Sequence, residues 1–228
     1  VLLRQLAEAV GPETWLRLMY AYPSRITPEL IEAMAATPNV VHYLDVPLQH
    51  GSGAVLKRMK RPHNLEKVHA FIAGLRAAMP DIVLRTSFIA GFPGETEDEF
   101  RELLEFAREI RFDHAGCFTY SRQQWTAAFE MPGQVPPEVM AERRNRFMRQ
   151  QRKIAAKLAR RFVGRTLPLL VEGAGEDEDG APVVVGRTYR EAPEVDGLVV
   201  ARGVAEPGSV ASVRITAAAE YDLFGALV

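Results

Sequence analysis

The stretch Leu84-Arg85-Thr86-Ser87-Phe88-Ile89-Ala90-Gly91-Phe92-Pro93-Gly94-Glu95-Thr96 decides how this chain folds. It opens as an apolar run with β-branched residues, of strand length, and then breaks into Gly-Phe-Pro-Gly-Glu-Thr. Glu97-Asp98-Glu99-Phe100 follows as an acidic first helical turn. Thr96 is placed to cap that helix, and Glu99 three residues on completes a capping box. The reading is a buried strand, a tight glycine turn and a helix start. In barrel and doubly wound α/β folds that junction lies at the carboxyl ends of the strands, where ligands bind. Gly91 and Gly94 permit a positive φ or a close backbone approach to a ligand. A well-made turn with no ligand satisfies the same pattern.

Working outward, the same unit repeats. Residues 2–10 are helical by apolar spacing and end at Gly11-Pro12; Trp15 to Tyr22 reads as a strand stopped by Pro23. Thr27 and Pro28 start a helix as cap and first helical residue. The strand Val40 to Val46 runs into the polar glycine loop Pro47-Leu48-Gln49-His50-Gly51-Ser52-Gly53, and helices follow at about 53–60 and 64–79, the second capped by Asn64. After the helix from 97 to about 110, Ala115 to Ser121 makes a fourth strand. Strand–helix repeated four times with near-continuous apolar strands predicts an α/β fold, a parallel sheet covered by helices. Four units are too few to close an eight-stranded barrel; they suit part of a smaller or open (β/α) barrel.

Residues 122–137 read as loop, and a long helix is predicted from about 137 to 162. Between Arg143 and Arg161 that helix carries nine basic residues and no acidic one. A basic run of this kind can touch RNA phosphates, although a solvated helix face is the commoner meaning. From Val163 the character changes to short β-rich runs at 167–171, 183–187, 198–202 and 210–216, which predicts a small all-β antiparallel barrel or sandwich. The acidic stretch 172–180 reads as a mobile hairpin tip. The expected divisions are 1–135 for the (β/α) part, 136–162 for the connecting helix and 163–228 for the β-domain.

The 47% hydrophobic and 25% charged content is ordinary for a soluble globular protein. No apolar run approaches the roughly 20 residues that span a bilayer, so no membrane role is expected, and no signal peptide is visible. The single Cys117 excludes an intrachain disulfide and suits a reducing, cytoplasmic compartment. It also excludes a zinc or iron–sulfur site built from this chain's cysteines alone. The net charge of −1 hides an asymmetry: residues 163–228 hold 11 acidic and 5 basic residues, the other 162 residues 18 and 23. A chain divided this way can offer two surfaces to different partners. It begins at Val1, not Met, within what reads as the middle of a helix, so a fragment is expected.

Each strand end carries polar or glycine chemistry. Gln49, His50 and Ser52 follow the second strand, Arg85 and the turn from Gly91 to Thr96 belong to the third, and Thr119 to Ser121 end the fourth. Gln and Ser suit ribose hydroxyls, and Arg suits a carboxylate. His50 serves equally well in helix capping or packing. Tyr20, Tyr22 and Tyr120 read as core or rim aromatics, Asp45 as a strand residue needing a buried hydrogen-bond partner, and Cys117 as an inert buried thiol.

Several of these stretches resemble one family. Leu18-Met19-Tyr20-Ala21-Tyr22-Pro23, Tyr43-Leu44-Asp45-Val46-Pro47-Leu48-Gln49-His50, Met59-Lys60-Arg61-Pro62 and Phe88 to Thr96 look like the radical S-adenosylmethionine methylthiotransferases. Leu48-Gln49-His50, Glu191-Ala192-Pro193-Glu194-Val195-Asp196-Gly197 and Glu220-Tyr221-Asp222-Leu223-Phe224-Gly225 resemble the RimO type, which acts on an aspartate of ribosomal protein S-twelve. The resemblance covers nearly the whole chain. It implies a partial radical-SAM (β/α) barrel followed by a TRAM (OB-like) β-barrel, S-adenosylmethionine as cofactor, and two [4Fe–4S] clusters. It further implies a methylthio group placed on the β-carbon of the target aspartate.

The three-cysteine C-x-x-x-C-x-x-C loop of that family is absent from these residues, so the chain alone is expected to hold no metal and to be inactive. Where the family runs towards Glu-Gly-Thr after Tyr120-Ser121, this chain has Gln123-Gln124-Trp125-Thr126. The candidate cofactor-binding residues are Gln49, Ser52, Arg85, Gly91, Phe92, Pro93, Gly94 and Glu95; no catalytic residue is assigned. The expected partner is the basic ribosomal protein, met by the acidic 163–228 domain, with RNA contact by 143–161. A transfer-RNA methylthiotransferase and a non-catalytic ribosome- or RNA-binding module are the alternatives.

Overall fold

The structure, a computed structural model, describes residues 2–228. They form two compact units that divide after Gln151.

The first unit holds four parallel strands in the order β1 (Leu16–Leu18), β2 (Val40–Asp45), β3 (Val83–Ala90) and β4 (His114–Thr119). Helices α1 (Leu2–Val10), α2 (Pro28–Ala36), α3 (Gly53–Arg58), α4 (Leu65–Ala78) and α5 (Glu97–Ile110) intervene, and α6 (Pro137–Ala159) follows the last strand. The local signals act as the sequence suggests. The Thr27 and Asn64 side chains accept from Leu30 N–H and Lys67 N–H at the starts of α2 and α4. Thr96 and Glu99 make the reciprocal capping box of α5, an arrangement that stabilises a helix start by about 1 kcal/mol. Helix α5 ends at Arg111 in the left-handed region, with φ 58.

The first strand is shorter than expected. Trp15 to Tyr22 yields three strand residues, because Tyr20 turns left-handed (φ 55) and its N–H bonds to the Asp45 side chain instead of a ladder. The core lies between one sheet face and the helices: Leu44, Leu84, Phe88 and Ala90 meet Phe100, Leu103, Phe106, Phe112 and Phe147. Burying side chains of this size contributes about 1.5–3 kcal/mol each. Phe88 is its centre, with the rings of Phe106, Phe112 and Phe147 at 6.3, 5.8 and 5.2 Å.

The second unit is a closed barrel of β5 (Thr166–Glu176), β6 (Pro182–Arg187), β7 (Val199–Arg202), β9 (Leu223–Leu227) and β8 (Val210–Ala218), in that order, with β8 returning to β5. Leu167, Leu169 and Val171 alternate inward from β5, and Val184, Val199, Val213, Ile215 and Leu223 of the other strands are buried as well. Two expectations are corrected here. The strand β9 falls in a stretch whose Gly225 and polar lead hide its strand character, and it pairs parallel to β7, so the barrel is not purely antiparallel. The acidic stretch 172–180 is only in part a hairpin tip. Strand β5 continues to Glu176, and Asp177 Oδ1 accepts from Asp179 and Ala181 N–H to close a tight turn. Part of its charge is matched locally, Glu172 by Arg187 at 2.6 Å and Asp177 by Arg202 at 3.0 Å.

Candidate functional site

The sheet of the first unit has two unlike faces. Along β3, Leu84, Thr86, Phe88 and Ala90 turn to the helices, while Arg85, Ser87 and Ile89 alternate to the other side. Parallel register sets Asp45 beside Arg85, and Arg85 beside His114. The second face is therefore polar. The Arg17 guanidinium lies 4.3 Å over the Tyr43 ring, and that ring is 6.4 Å from His114. The buried Asp45 carboxylate accepts from Arg85 Nη1 at 3.1 Å and from Tyr20 N–H at 3.2 Å. Asp45 thus has the buried partner its strand position demanded.

At the carboxyl ends of the strands the chain departs from ideal geometry. Pro47 supplies no N–H to the ladder, and the Thr86 hydroxyl repairs the gap by donating to Val46 O and accepting from Leu48 N–H. Gln49 then rejoins β3 through two backbone bonds, to Ser87 O and from Ile89 N–H, with φ 74. A non-glycine residue in that region costs about 1–3 kcal/mol, and such residues concentrate at functional sites. Among the described residues the Gln49 amide is held by Pro47 O alone, at 3.4 Å. Ser52 is buried and its Oγ has no partner among the described residues.

The glycine turn is knit to its surroundings. Gly91 and Gly94 both adopt positive φ, +82 and +77. A side chain on Gly91 would collide with Met140 of α6, and one on Gly133 would come within 3.2 Å of Gly94 Cα. Gly91 N–H donates to Glu95 Oε2, Gly94 N–H to Gly133 O, and Glu95 N–H to Phe92 O. Phe92 packs edge-on against Tyr120, with centroids 5.3 Å apart. Gly91, Phe92, Pro93 and Glu95 are buried, and Gly94 is exposed. The positive-φ meaning of the glycines applies, and the close approach is made by the chain itself.

Glu95 is the hub of this region. Its side chain, fully buried, also meets His50 Nε2 at 3.2 Å and Arg143 Nη1 at 2.8 Å. The His50 Nδ1 accepts from Ser52 N–H at 2.9 Å, which assigns the ring proton to Nε2. Sequence reasoning missed this network. It counted Arg143 within a solvated basic run, whereas Arg143 is buried; 48 positions separate it from Glu95 and no local pattern joins them. It also missed the Arg17–Tyr43–His114 group, whose members lie on three strands. At the next helix turn, the Arg58 guanidinium bonded to Glu99 holds that carboxyl below its usual range. Burial pushes the Cys117 thiol up to about 12. Trp125, in the loop that departs from the family pattern, is 99% exposed.

The donor set decides which cofactor fits. Among the described residues no cluster of histidine, cysteine or acidic side chains could hold a metal, and the one thiol is buried and protonated. An iron–sulfur cluster does not fit these residues. The Gln49 amide and the Ser52 hydroxyl, which has no partner among the described residues, have the chemistry that suits a nucleoside's hydroxyls. A surface concavity of about 540 Å³ lies by Arg4, Glu8 and Asn39 at the opposite ends of the strands.

Residues 5–107 match the radical SAM superfamily and residues 163–228 match the TRAM domain. The class is thus a radical SAM protein with a terminal TRAM barrel. The fold agrees: coproporphyrinogen III oxidase (HemN) of Escherichia coli, a radical SAM enzyme, superposes with a TM-score of 0.55 at 15% identity, over 66% of this chain and 36% of that one. Proteins named ribosomal protein uS12 methylthiotransferase RimO are far more alike in sequence. That of Herpetosiphon aurantiacus is 50% identical over 228 residues, all of this chain and 49% of the relative; that of Chloroflexus aurantiacus is 47% identical over 224 residues, 98% of this chain and 49% of the relative. The chain belongs to this RimO-type methylthiotransferase family, and it spans about half the length of the curated relatives it matches. No helix among the described residues is long and apolar enough to cross a membrane.

Proposed function

We propose that this chain is the cofactor- and substrate-positioning half of an enzyme that methylthiolates the β-carbon of an aspartate in ribosomal protein uS12. The observation that carries the reading is 50% identity, sustained over the whole chain, to a protein bearing that name. S-adenosylmethionine, when bound, supplies a one-electron route to breaking an unactivated C–H bond. The chain's own part is to bind, orient and exclude water. The Gln49 amide bonds the ribose, the buried Ser52 would join it once its hydroxyl turns outward, Arg85 faces the carboxylate of the cofactor, and the turn Gly91-Phe92-Pro93-Gly94-Glu95 forms one wall. Two [4Fe–4S] clusters take their ligands from outside these 228 residues, so the chain alone turns nothing over.

In this reading the protein works in the cytoplasm, and the acidic 163–228 barrel meets the basic ribosomal protein. Glu176 and Glu178 are exposed at its tip, where attraction steers the encounter. Charge reversal at both positions lowers the affinity of the 228-residue chain for uS12; equal affinity removes the barrel from the interface.

One observation favours a second reading, a transfer-RNA methylthiotransferase. Lys153 and Lys157 are exposed and lie one turn apart in the last part of α6, in position to meet phosphates. Mass spectrometry of uS12 and of transfer RNA from a strain lacking the gene separates the two. Loss of the methylthio group from uS12, with transfer RNA unchanged, is the expected result. The reverse pattern establishes the RNA enzyme, and no change in either leaves a non-catalytic binding module.

A further inference from the structure

We propose that Arg143 of α6 is a positioning residue for the nucleotide site, acting through Glu95 on both walls at once. The inference rests on the S-adenosylmethionine site described above and adds a residue to it that no local motif marks.

The argument is one of charge and connectivity. Glu95 is a buried carboxylate that accepts from three donors on three segments: Gly91 N–H of the turn, the Nε2–H of His50, and Arg143 Nη1. The His50 ring accepts from Ser52 N–H, so it is neutral in this arrangement and brings no compensating charge. Arg143 is then the cation in direct contact with this buried carboxylate, and a buried charge left without such a partner is costly. So held, the Glu95 side chain accepts from Gly91 and His50 together. Those two bonds fix the turn 91–95 and the loop 49–52, and so Gln49, Ser52 and the glycine wall hang from a single carboxylate. Arg143 Nη1 also donates to Glu95 O at 3.0 Å, clamping the backbone beneath the side chain.

The helix is built for this contact. One turn before Arg143, Met140 closes over Gly91; one turn after it, Phe147 packs 5.2 Å from Phe88 of β3. Met140, Arg143 and Phe147 therefore run along the strand and its turn on one helix face. The neighbouring Arg144 is exposed and donates to Asn145 at 3.3 Å, so the basic run does two things: one arginine works inward while others face out. Both bonds leave the same Nη1, so a lysine at 143 would keep the charge and lose the guanidinium's reach and its planar donor geometry.

The test is hydrogen exchange of the 228-residue chain, read by mass spectrometry, together with calorimetric titration with S-adenosylmethionine. Arg143→Met is expected to speed exchange in segments 49–53 and 90–96 by about tenfold and to weaken binding by about tenfold. Arg144→Met leaves both unchanged, and Arg143→Lys lies between. Should Arg143→Met fail to fold, Arg143→Lys decides by the same two readings. The double variant Arg143→Met with Glu95→Gln removes the buried charge but not the need for the clamp, so it regains stability and stays weak in binding. Unaltered exchange and affinity in a folded Arg143 variant overturn the inference, as does full affinity in the double variant. Absence of binding to the unaltered chain overturns the site reading and this inference with it; normal binding beside an unresponsive turn overturns the inference alone.

Discussion

The guanidinium of Arg85 and the carboxylate of Asp45 meet at 3.1 Å across adjacent parallel strands, at positions that the β2–β3 register sets opposite each other. Asp45 is fully buried, and its second oxygen takes the Tyr20 N–H. The pair ties the end of β1 to β2 and β3 and gives the polar sheet face its fixed charge. Arg85→Ala strands the carboxylate, and a cost of about 3–5 kcal/mol follows from leaving a buried charge uncompensated. Urea unfolding measures it. The same variant weakens S-adenosylmethionine binding in calorimetry; affinity equal to the unaltered chain takes Arg85 out of the site.

Glu99 works twice, as the capping-box acid of α5 and as the acceptor for Arg58, both bonds favouring its ionised form. Its folded-state pKa is therefore lowered from the ordinary carboxylate value. The stability it contributes is complete above the unfolded pKa, about 4.3, and disappears as pH falls through the lower folded value. The melting temperature of Glu99→Gln should lie below that of the unaltered chain at neutral pH, and the two should converge under acid. A constant gap across that range contradicts the assignment.

Cys117 lies in β4 among core side chains, with its thiol pushed up to about 12. Iodoacetamide at mildly alkaline pH should leave the folded chain unmodified and label one site once denaturant is added. Rapid labelling of folded protein contradicts the burial.

At Gly91 two costs coincide, a left-handed φ of +82 and contact with Met140. Gly91→Ala should destabilise by about 2–4 kcal/mol. Adding Met140→Ala returns the steric share and leaves the backbone share. A double variant no better than the single one shows that the helix does not press on the turn.

How legible was this in the sequence? Elements with a local cause were clear: caps at Thr27, Asn64 and Thr96, the breaks at Pro23 and Pro47, and the apolar runs of β2, β3 and β4 all act within a few residues. What depends on distant neighbours was not. Tyr20 is drawn out of β1 by Asp45, and β9 takes its parallel place from β7. Two of the three stretches that resemble the RimO type, 191–197 and 220–225, meet in the barrel. Arg190, next to the first stretch, bonds Tyr221 O in the second at 2.8 Å, and Leu198 N–H bonds Asp222 at 3.0 Å; their spacing alone did not reveal it. In the candidate site, Gln49, Arg85 and the glycine turn were visible as polar strand ends, whereas Arg143, Arg17 and His114 join only through the folded sheet.

The central claim is that the polar sheet face and the glycine turn form one half of an S-adenosylmethionine site. The most direct measurement is a two-dimensional amide NMR titration of the 228-residue chain with S-adenosylmethionine. Saturable shifts confined to the segments around Gln49, Ser52, Arg85 and Gly91 to Glu95 are the predicted result. Shifts centred on the concavity at Arg4, Glu8 and Asn39, or no shift at saturating ligand, contradict it.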